Sequence, residues 1–186
     1  VNHNTLNFGI TYGMGPPKFA DMLSAETKKS VSIQQAANLM ERYKDTYKTA
    51  SRWLEQMSMS ALRDGYVQTI YGRKRYFNPV SIELPAKQYK AQVGSIKRQG
   101  ANTPIQGTNA DITKMAMIQV YDDLRDYGYR GSIILQVHDE IVAEIHDSIL
   151  KEAVEFMKNQ MLNAEQPFLD KIPAAIDFKV AKKWSK

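Results

Sequence analysis

The chain has no cysteine. That excludes disulfide staples and thiolate metal sites, so its stability must come from packing. Such a composition is compatible with a reducing compartment. There is also no run of about 20 apolar residues, the length a membrane-spanning helix needs. The opening lacks the charged, apolar and small-residue order of a secretory leader. It begins with Val1 rather than Met, from which a fragment or a processed product is expected. Internal repeats, low-complexity tracts and clear linkers are lacking too. The glycines of "NFGITYGMG" have neither the dinucleotide-fingerprint spacing nor that of a Walker loop.

What is present is about one ordinary domain by length, 186 residues, of which 43% are hydrophobic, enough for a packed core. The net charge of +5 is concentrated. Between Arg63 and Arg98 stand eight basic residues: Arg63, Arg73, Lys74, Arg75, Lys87, Lys90, Lys97 and Arg98. Only Asp64 and Glu83 oppose them, so the rest of the chain is close to neutral. This segment either attracts a polyanion, nucleic acid foremost, or is a solvated loop.

The periodicity predicts an α+β layout. A short helix can open the chain but must break by Pro16. Ser32 and Gln35 form a capping box. From there apolar positions recur on one face through Tyr43, Tyr47, Trp53, Met57 and Ala61, and Gly65 ends the helix. "GYVQTIYGRKRYFNPV" reads as a β-hairpin turning at Tyr71-Gly72. A basic helix follows, with weak spots at Gly94 and Gly100 and an interruption or kink at Pro104. It resumes from Gly107, with Ile112, Ala116, Val120, Leu124 and Tyr127 on one side, and stops at Gly128. "SIILQV" and "IVAEI" are strands with His138, Asp139 and Glu140 between them. Asp147 is expected to cap a last amphipathic helix, with Leu150, Val154, Met157 and Met161 inward, that breaks at Gln166-Pro167. "AAIDFKVAKKW" should close as a strand.

Three groups carry candidate chemistry. In "QVHDEIV" two carboxylates and an imidazole interrupt an apolar run. A buried charge costs several kcal/mol unless compensated, so this is an exposed turn or a cation site. Carboxylate oxygens suit Mg²⁺, which takes one or two of them plus substrate phosphates. Arg98, Asn102 and Gln106 stand four apart in "RQGANTPIQGTNADITK". On a helix they share a face, suited to base edges and sugars or simply to solvent. Asn4, Phe8 and Tyr12 are also spaced by four. The aromatic pair is either core or a stacking platform worth about 1–3 kcal/mol per base.

Taken in order, "NFGITYG", "GYVQTIYGRKRY", "RQGANTPIQGTNADITK", "QVHDEIV" and the terminal "KVAKKW" resemble the C-terminal part of a family A DNA polymerase, the bacterial polymerase I type found also in phages. The resemblance runs along essentially the whole chain. It implies helical fingers plus part of an antiparallel palm sheet, whose β-hairpin carries the catalytic Asp. Residues 1–62 would be fingers helices with motif B at their start. Residues 63–186 would be the rest of the fingers and the C-terminal half of the palm. Phe8 and Tyr12 would bind the incoming nucleotide. Arg98, Asn102, Gln106 and His138 would contact DNA. Asp139 would hold Mg²⁺ in a two-metal site, with Glu140 as its catalytic neighbour. The implied reaction is nucleotidyl transfer from a dNTP to a primer 3′ hydroxyl, on primer–template DNA, in the cytoplasm of a bacterial or phage-infected cell.

Two departures qualify the resemblance. The Lys that the family places three residues before the Asn of "NFG", and that would protonate the leaving group, is Asn4 here; either the enzyme is slow, or His3 or another group substitutes. The Arg one turn earlier would precede Val1. More importantly, nothing among these residues matches motif A, which carries the family's other metal-binding Asp, and no thumb or exonuclease domain is recognisable. The expectation is a fragment that does not polymerise alone, its partner the missing N-terminal portion. The alternatives are a split subunit or decayed copy that binds nucleic acid without catalysis, and a structural helical domain with a decorative hairpin.

Overall fold

The computed structural model describes residue 9 and residues 13–128, 130–169 and 172–184. The described part is α+β, mostly helical with two separate two-stranded antiparallel sheets. Packing divides the chain into two compact units, Val1–Gly107 and Thr108–Lys186. This is a division by contact, distinct from the division by role expected at residue 62.

In the first unit, helix α1 spans Pro16–Thr27, α2 Ile33–Thr46 and α3 Lys48–Arg63. The opening helix expected to break by Pro16 falls almost wholly outside the described residues; a helix begins at Pro16, because Pro at the first helical position loses only an amide that has no intrahelical partner. Just before it, the Met14 amide donates to the Gly9 carbonyl at 2.9 Å and Gly13 has φ +68°. The Ser32–Gln35 capping box forms as expected. The long helix predicted from Ser32 is instead two, separated at Tyr47 with φ −107° and ψ 53°. The apolar stripe continues across the break, which is why periodicity alone misses it. Phe19, Ala20, Leu23 and Ala36 form the core between α1 and α2.

Strands β1 (Tyr66–Gln68) and β2 (Lys74–Tyr76) pair in the predicted hairpin, Tyr66 opposite Tyr76 and Gln68 opposite Lys74. Their rings lie 5.9 Å apart. Gly72 supplies the positive φ of the turn at +81°. Helix α4 then runs from Ala86 to Asp126 without a break, through Pro104. The interruption predicted there does not occur. Ala101, Thr103 and Pro104 are buried, and that packing offsets the roughly 3 kcal/mol a Pro costs a helix interior. Ala61, Val67 and Ile96 make the second core of this unit.

The second unit packs β3 (Gly131–Val137), β4 (Glu140–Ile145) and α5 (Leu150–Leu169) around Val120, Leu124 and Ile149. A 3₁₀ turn, Asp147–Ile149, precedes α5, and its cap is His146, whose ring accepts the Ser148 amide. The cap predicted at Asp147 is thus displaced by one residue. Inside α5 the fully buried side chains are Ala153 and Ala164; the expected Leu150, Val154, Met157 and Met161 are half-buried. The helix also continues past the predicted break, with Pro167 inside its last turn. Residues 172–184 form no strand.

Close approach of α3 to α4 depends on Gly100. A Cβ there would stand 2.5 Å from Ala61 Cβ and 3.1 Å from the Met57 carbonyl oxygen. At Gly94 it would meet only the mobile end of Arg98, at 3.3 Å. Gly100→Ala is therefore expected to lose about 1–3 kcal/mol by overpacking. Gly94→Ala should gain about 0.5–1 kcal/mol from helix propensity. Urea unfolding of the two variants checks the contrast.

Candidate nucleic-acid and metal site

The middle of α4 presents three lines of residues, each with a different neighbour. Gly100 lies against α3, and the Ser58 hydroxyl beside it donates to the Lys97 carbonyl at 3.0 Å. The line of Gln99, Thr103 and Gly107 is taken by the β1–β2 hairpin. Arg75 donates to Thr103 Oγ1 at 3.3 Å and to Gln99 Oε1, and Arg73 donates to the Gly107 carbonyl at 3.1 Å. Arg98, Asn102 and Gln106 form the third line, one residue earlier and roughly opposite the α3-facing side at about 100° per residue. The stripe predicted from spacing is real because the helix does not stop at Pro104. Arg98 and Gln106 are exposed and Asn102 is half-buried. The Oδ1 of Asn102 is buried with no hydrogen-bond partner among the described residues. An acceptor left that way costs about 1–3 kcal/mol, which a donor from a ligand would recover.

Gly13, in the loop that follows the opening segment, sits against the stem of Arg98. A Cβ on it would come within 2.9 Å of Arg98 Cγ. This glycine lets the chain at residue 13 approach Arg98, a role that its spacing did not reveal. Phe8 and Tyr12, with Asn4, lie outside the described residues.

The basic segment is less free than its composition implies. Arg73 and Arg75 are spent on α4. Arg63 donates to both Asp64 oxygens, at 2.7 and 2.8 Å. That hydrogen bonding holds the Asp64 carboxyl below its usual range. Lys74 Nζ stands 4.2 Å from the centre of the Tyr66 ring. Lys87, Lys90, Lys97 and Arg98 form no ion pair among the described residues.

The stripe belongs to the first unit and the second chemical group to the other. Val137 pairs with Glu140, so the turn holds only His138 and Asp139. Glu140 is the first residue of β4, not part of the tip as expected. His138 takes φ +56°, the left-handed value that a two-residue hairpin loop demands. All three side chains are exposed. Upstream, Ile133 pairs with Ala143 and Leu135 with Val142, which makes Ile134 the extra residue of a bulge. A bulge re-aims everything beyond it, here the tip.

The two carboxylates differ in their surroundings. Asp139 makes no hydrogen bond or ion pair among the described residues. Glu140 Oε1 accepts the Trp184 indole N–H at 3.3 Å. No cluster of three His, Cys, Asp or Glu side chains able to hold a metal exists among the described residues. The donor set nevertheless fits Mg²⁺. It consists of hard, water-exposed oxygens, one carboxylate wholly uncommitted, and Mg²⁺ takes one or two carboxylates while keeping its other positions for water and phosphate.

The sequence model for "DNA polymerase family A" matches residues 2–186. DNA polymerase I of Synechocystis sp. is 32% identical over 193 residues, covering 97% of this chain and 18% of that protein. The thermostable DNA polymerase I of Thermus thermophilus is 35% identical over 158 residues, covering 81% of this chain and 17% of that protein. Among solved structures, the POL domain of Pol1 from M. smegmatis, in complex with DNA primer–template and dNTP, is similar with a TM-score of 0.71 and 32% identity. That match covers 85% of this chain and 26% of the other. The chain thus spans less than a fifth of the two curated relatives' length.

The turn geometry can be tested directly. His138→Gly removes the left-handed penalty on a side-chain-bearing residue, about 1–2 kcal/mol, and is expected to be neutral or stabilising. His138→Val places a β-branched residue at φ +56° and is expected to destabilise by about 1–2 kcal/mol. Thermal unfolding of the pair reads the order.

Proposed function

The chain belongs to the family A DNA polymerases, and from that premise we propose that it carries the C-terminal part of the machinery for template-directed DNA synthesis. Residues 1–62 act as fingers helices, and residues 63–186 as the rest of the fingers and the C-terminal half of the palm. The ligands are primer–template DNA and a dNTP, in the cytoplasm of a bacterial or phage-infected cell. The observation that carries this reading is the uncommitted, exposed Asp139 carboxylate on a two-residue turn, in a chain that matches the family from residue 2 to residue 186.

In this reading Phe8 and Tyr12 bound the nucleotide. Arg98, Asn102 and Gln106 line the minor groove near the growing end. His138 approaches the primer terminus. Asp139, with Glu140 beside it, holds Mg²⁺. When bound, two such ions would lower the pKa of the primer hydroxyl and stabilise charge on the attacking and leaving oxygens. The 3′ oxygen bonds to the α-phosphorus, the bond to pyrophosphate breaks, and the hydroxyl proton is released. The protein's own share is placement and charge balance.

Asn4 favours a second reading, since it cannot give the leaving group a proton. A split-subunit or non-catalytic derivative would bind nucleic acid through the same stripe without turning over.

Primer–template binding, followed by fluorescence anisotropy at two salt concentrations, tests the proposal. Affinity should fall as salt rises, and Arg98→Ala should weaken binding and reduce the log–log slope by about 0.9. The double variant Arg63→Ala/Asp64→Ala, which removes an ion pair without changing the net charge, should leave the slope unchanged. An absence of salt-dependent binding refutes both readings. The 186-residue chain alone is expected to show no primer extension, for want of a motif A carboxylate. Extension that Asp139→Ala abolishes would overturn that expectation.

A further inference from the structure

Residues 172–184 have no regular secondary structure, and Ile172, Phe178, Val180 and Trp184 are exposed along them. Side chains of the second unit nevertheless tie this segment down at three places. Near its start, Gln166 Oε1 accepts the Ala174 amide at 3.0 Å while Gln166 Nε2 donates to the Ile172 carbonyl at 3.3 Å. In the middle, Lys158 Nζ lies 5.9 Å from the centre of the Phe178 ring. At the end, Trp184 Nε1 donates to Glu140 Oε1 at 3.3 Å. The segment is a strap, and its last contact falls on the carboxylate next to the uncommitted Asp139.

An exposed glutamate ordinarily samples many rotamers, and ordering it costs entropy at the moment of binding. The indole has a single donor and no acceptor. It can hold one carboxylate oxygen without itself competing as a ligand, and it leaves the other oxygen open. Partners of this kind orient metal ligands elsewhere, and their loss typically weakens metal binding by tenfold or more. We propose that Trp184 is a positioning residue: through its hydrogen bond to Glu140 the C-terminal strap preorganises the Asp139–Glu140 pair for a hard divalent cation. This rests on the reading of Asp139 as a cation ligand.

Mn²⁺ titration of the 186-residue chain, read by water-proton relaxation, separates the two. Trp184→Phe keeps a ring but loses the donor, and it should weaken Mn²⁺ affinity by about tenfold. Because Trp184 acts through Glu140, the double variant Trp184→Phe/Glu140→Gln should bind no more weakly than Glu140→Gln alone. Losses that add, or a Trp184→Phe curve that matches the wild type, overturn the inference and leave the Asp139 reading standing. Binding unchanged in Asp139→Ala overturns that reading, and the inference with it. A measurement on the unmodified Trp184 guards against misfolded variants. Its indole N–H resonance in the wild-type chain should move as Mg²⁺ is added, and stay in place in Asp139→Ala, with the indole of Trp53 as internal reference. A stationary Trp184 signal in the wild type also overturns the inference.

Discussion

The register of the β3–β4 hairpin is the constraint on which the candidate chemistry depends. Side chains alternate along a strand, so a slip of one residue would carry every group to the opposite face. Here the register is fixed from below. Ile133 and Ile145 pack on Val120 and Leu124, and Gly131 meets Ile145 so closely that a Cβ would fall 2.6 Å from Ile145 Cδ1. From that anchored base the Ile134 bulge and the two-residue turn follow, leaving His138 and Asp139 at the tip. The ionised carboxylate is thus kept in water by apolar packing several residues away. A charge that would be costly inside the core costs little at the end of a hairpin whose base is the core.

Much of this was legible in the sequence, and the misses share a cause. The capping box at Ser32, the turn at Gly72 and the acidic interruption after Val137 are encoded within a few residues, and each formed where expected. Proline accounts for several of the differences. Pro16, expected to break a helix, begins one. Pro104, expected to interrupt or kink a helix, lies buried inside it. Pro167, expected to end α5, is accommodated in its last turn. Local rules describe what a proline removes, an amide and some freedom, but tertiary packing decides whether the helix tolerates that. The break at Tyr47 is the converse, a change of backbone angle that leaves the apolar stripe intact. The last stretch reads as a strand by its alternation of Ile176, Phe178 and Val180, but among the described residues its backbone is held by the Gln166 side chain rather than by a neighbouring strand.

Charge was legible in amount and not in use. Eight basic residues between Arg63 and Arg98 suggest a polyanion site, but sequence cannot say which of them the protein keeps for itself. The hairpin arginines answer to α4. Arg75 has a planar, multi-donor head suited to two acceptors at once, and it finds them on Gln99 and Thr103, one helical turn apart. Arg73 reaches Gly107 a turn further on. Side chains that look like ligand-binding groups in a composition count are, in the fold, what holds a short hairpin to a helix.

That use of the hairpin bears on the stripe beside it. Gln99, Thr103 and Gly107 share the i, i+4 spacing of Arg98, Asn102 and Gln106, one position round the helix. Had α4 broken at Pro104, neither line would have been a line. Arg73 and Arg75 grip residues on both sides of that proline, Thr103 before it and Gly107 after it. The contacts that consume two cations therefore also splint the helix where its own hydrogen bonding is weakest, since Pro104 has no amide to offer the Gly100 carbonyl. The basic hairpin serves the neighbouring polar line by bracing the helix that carries it, rather than by adding its charge.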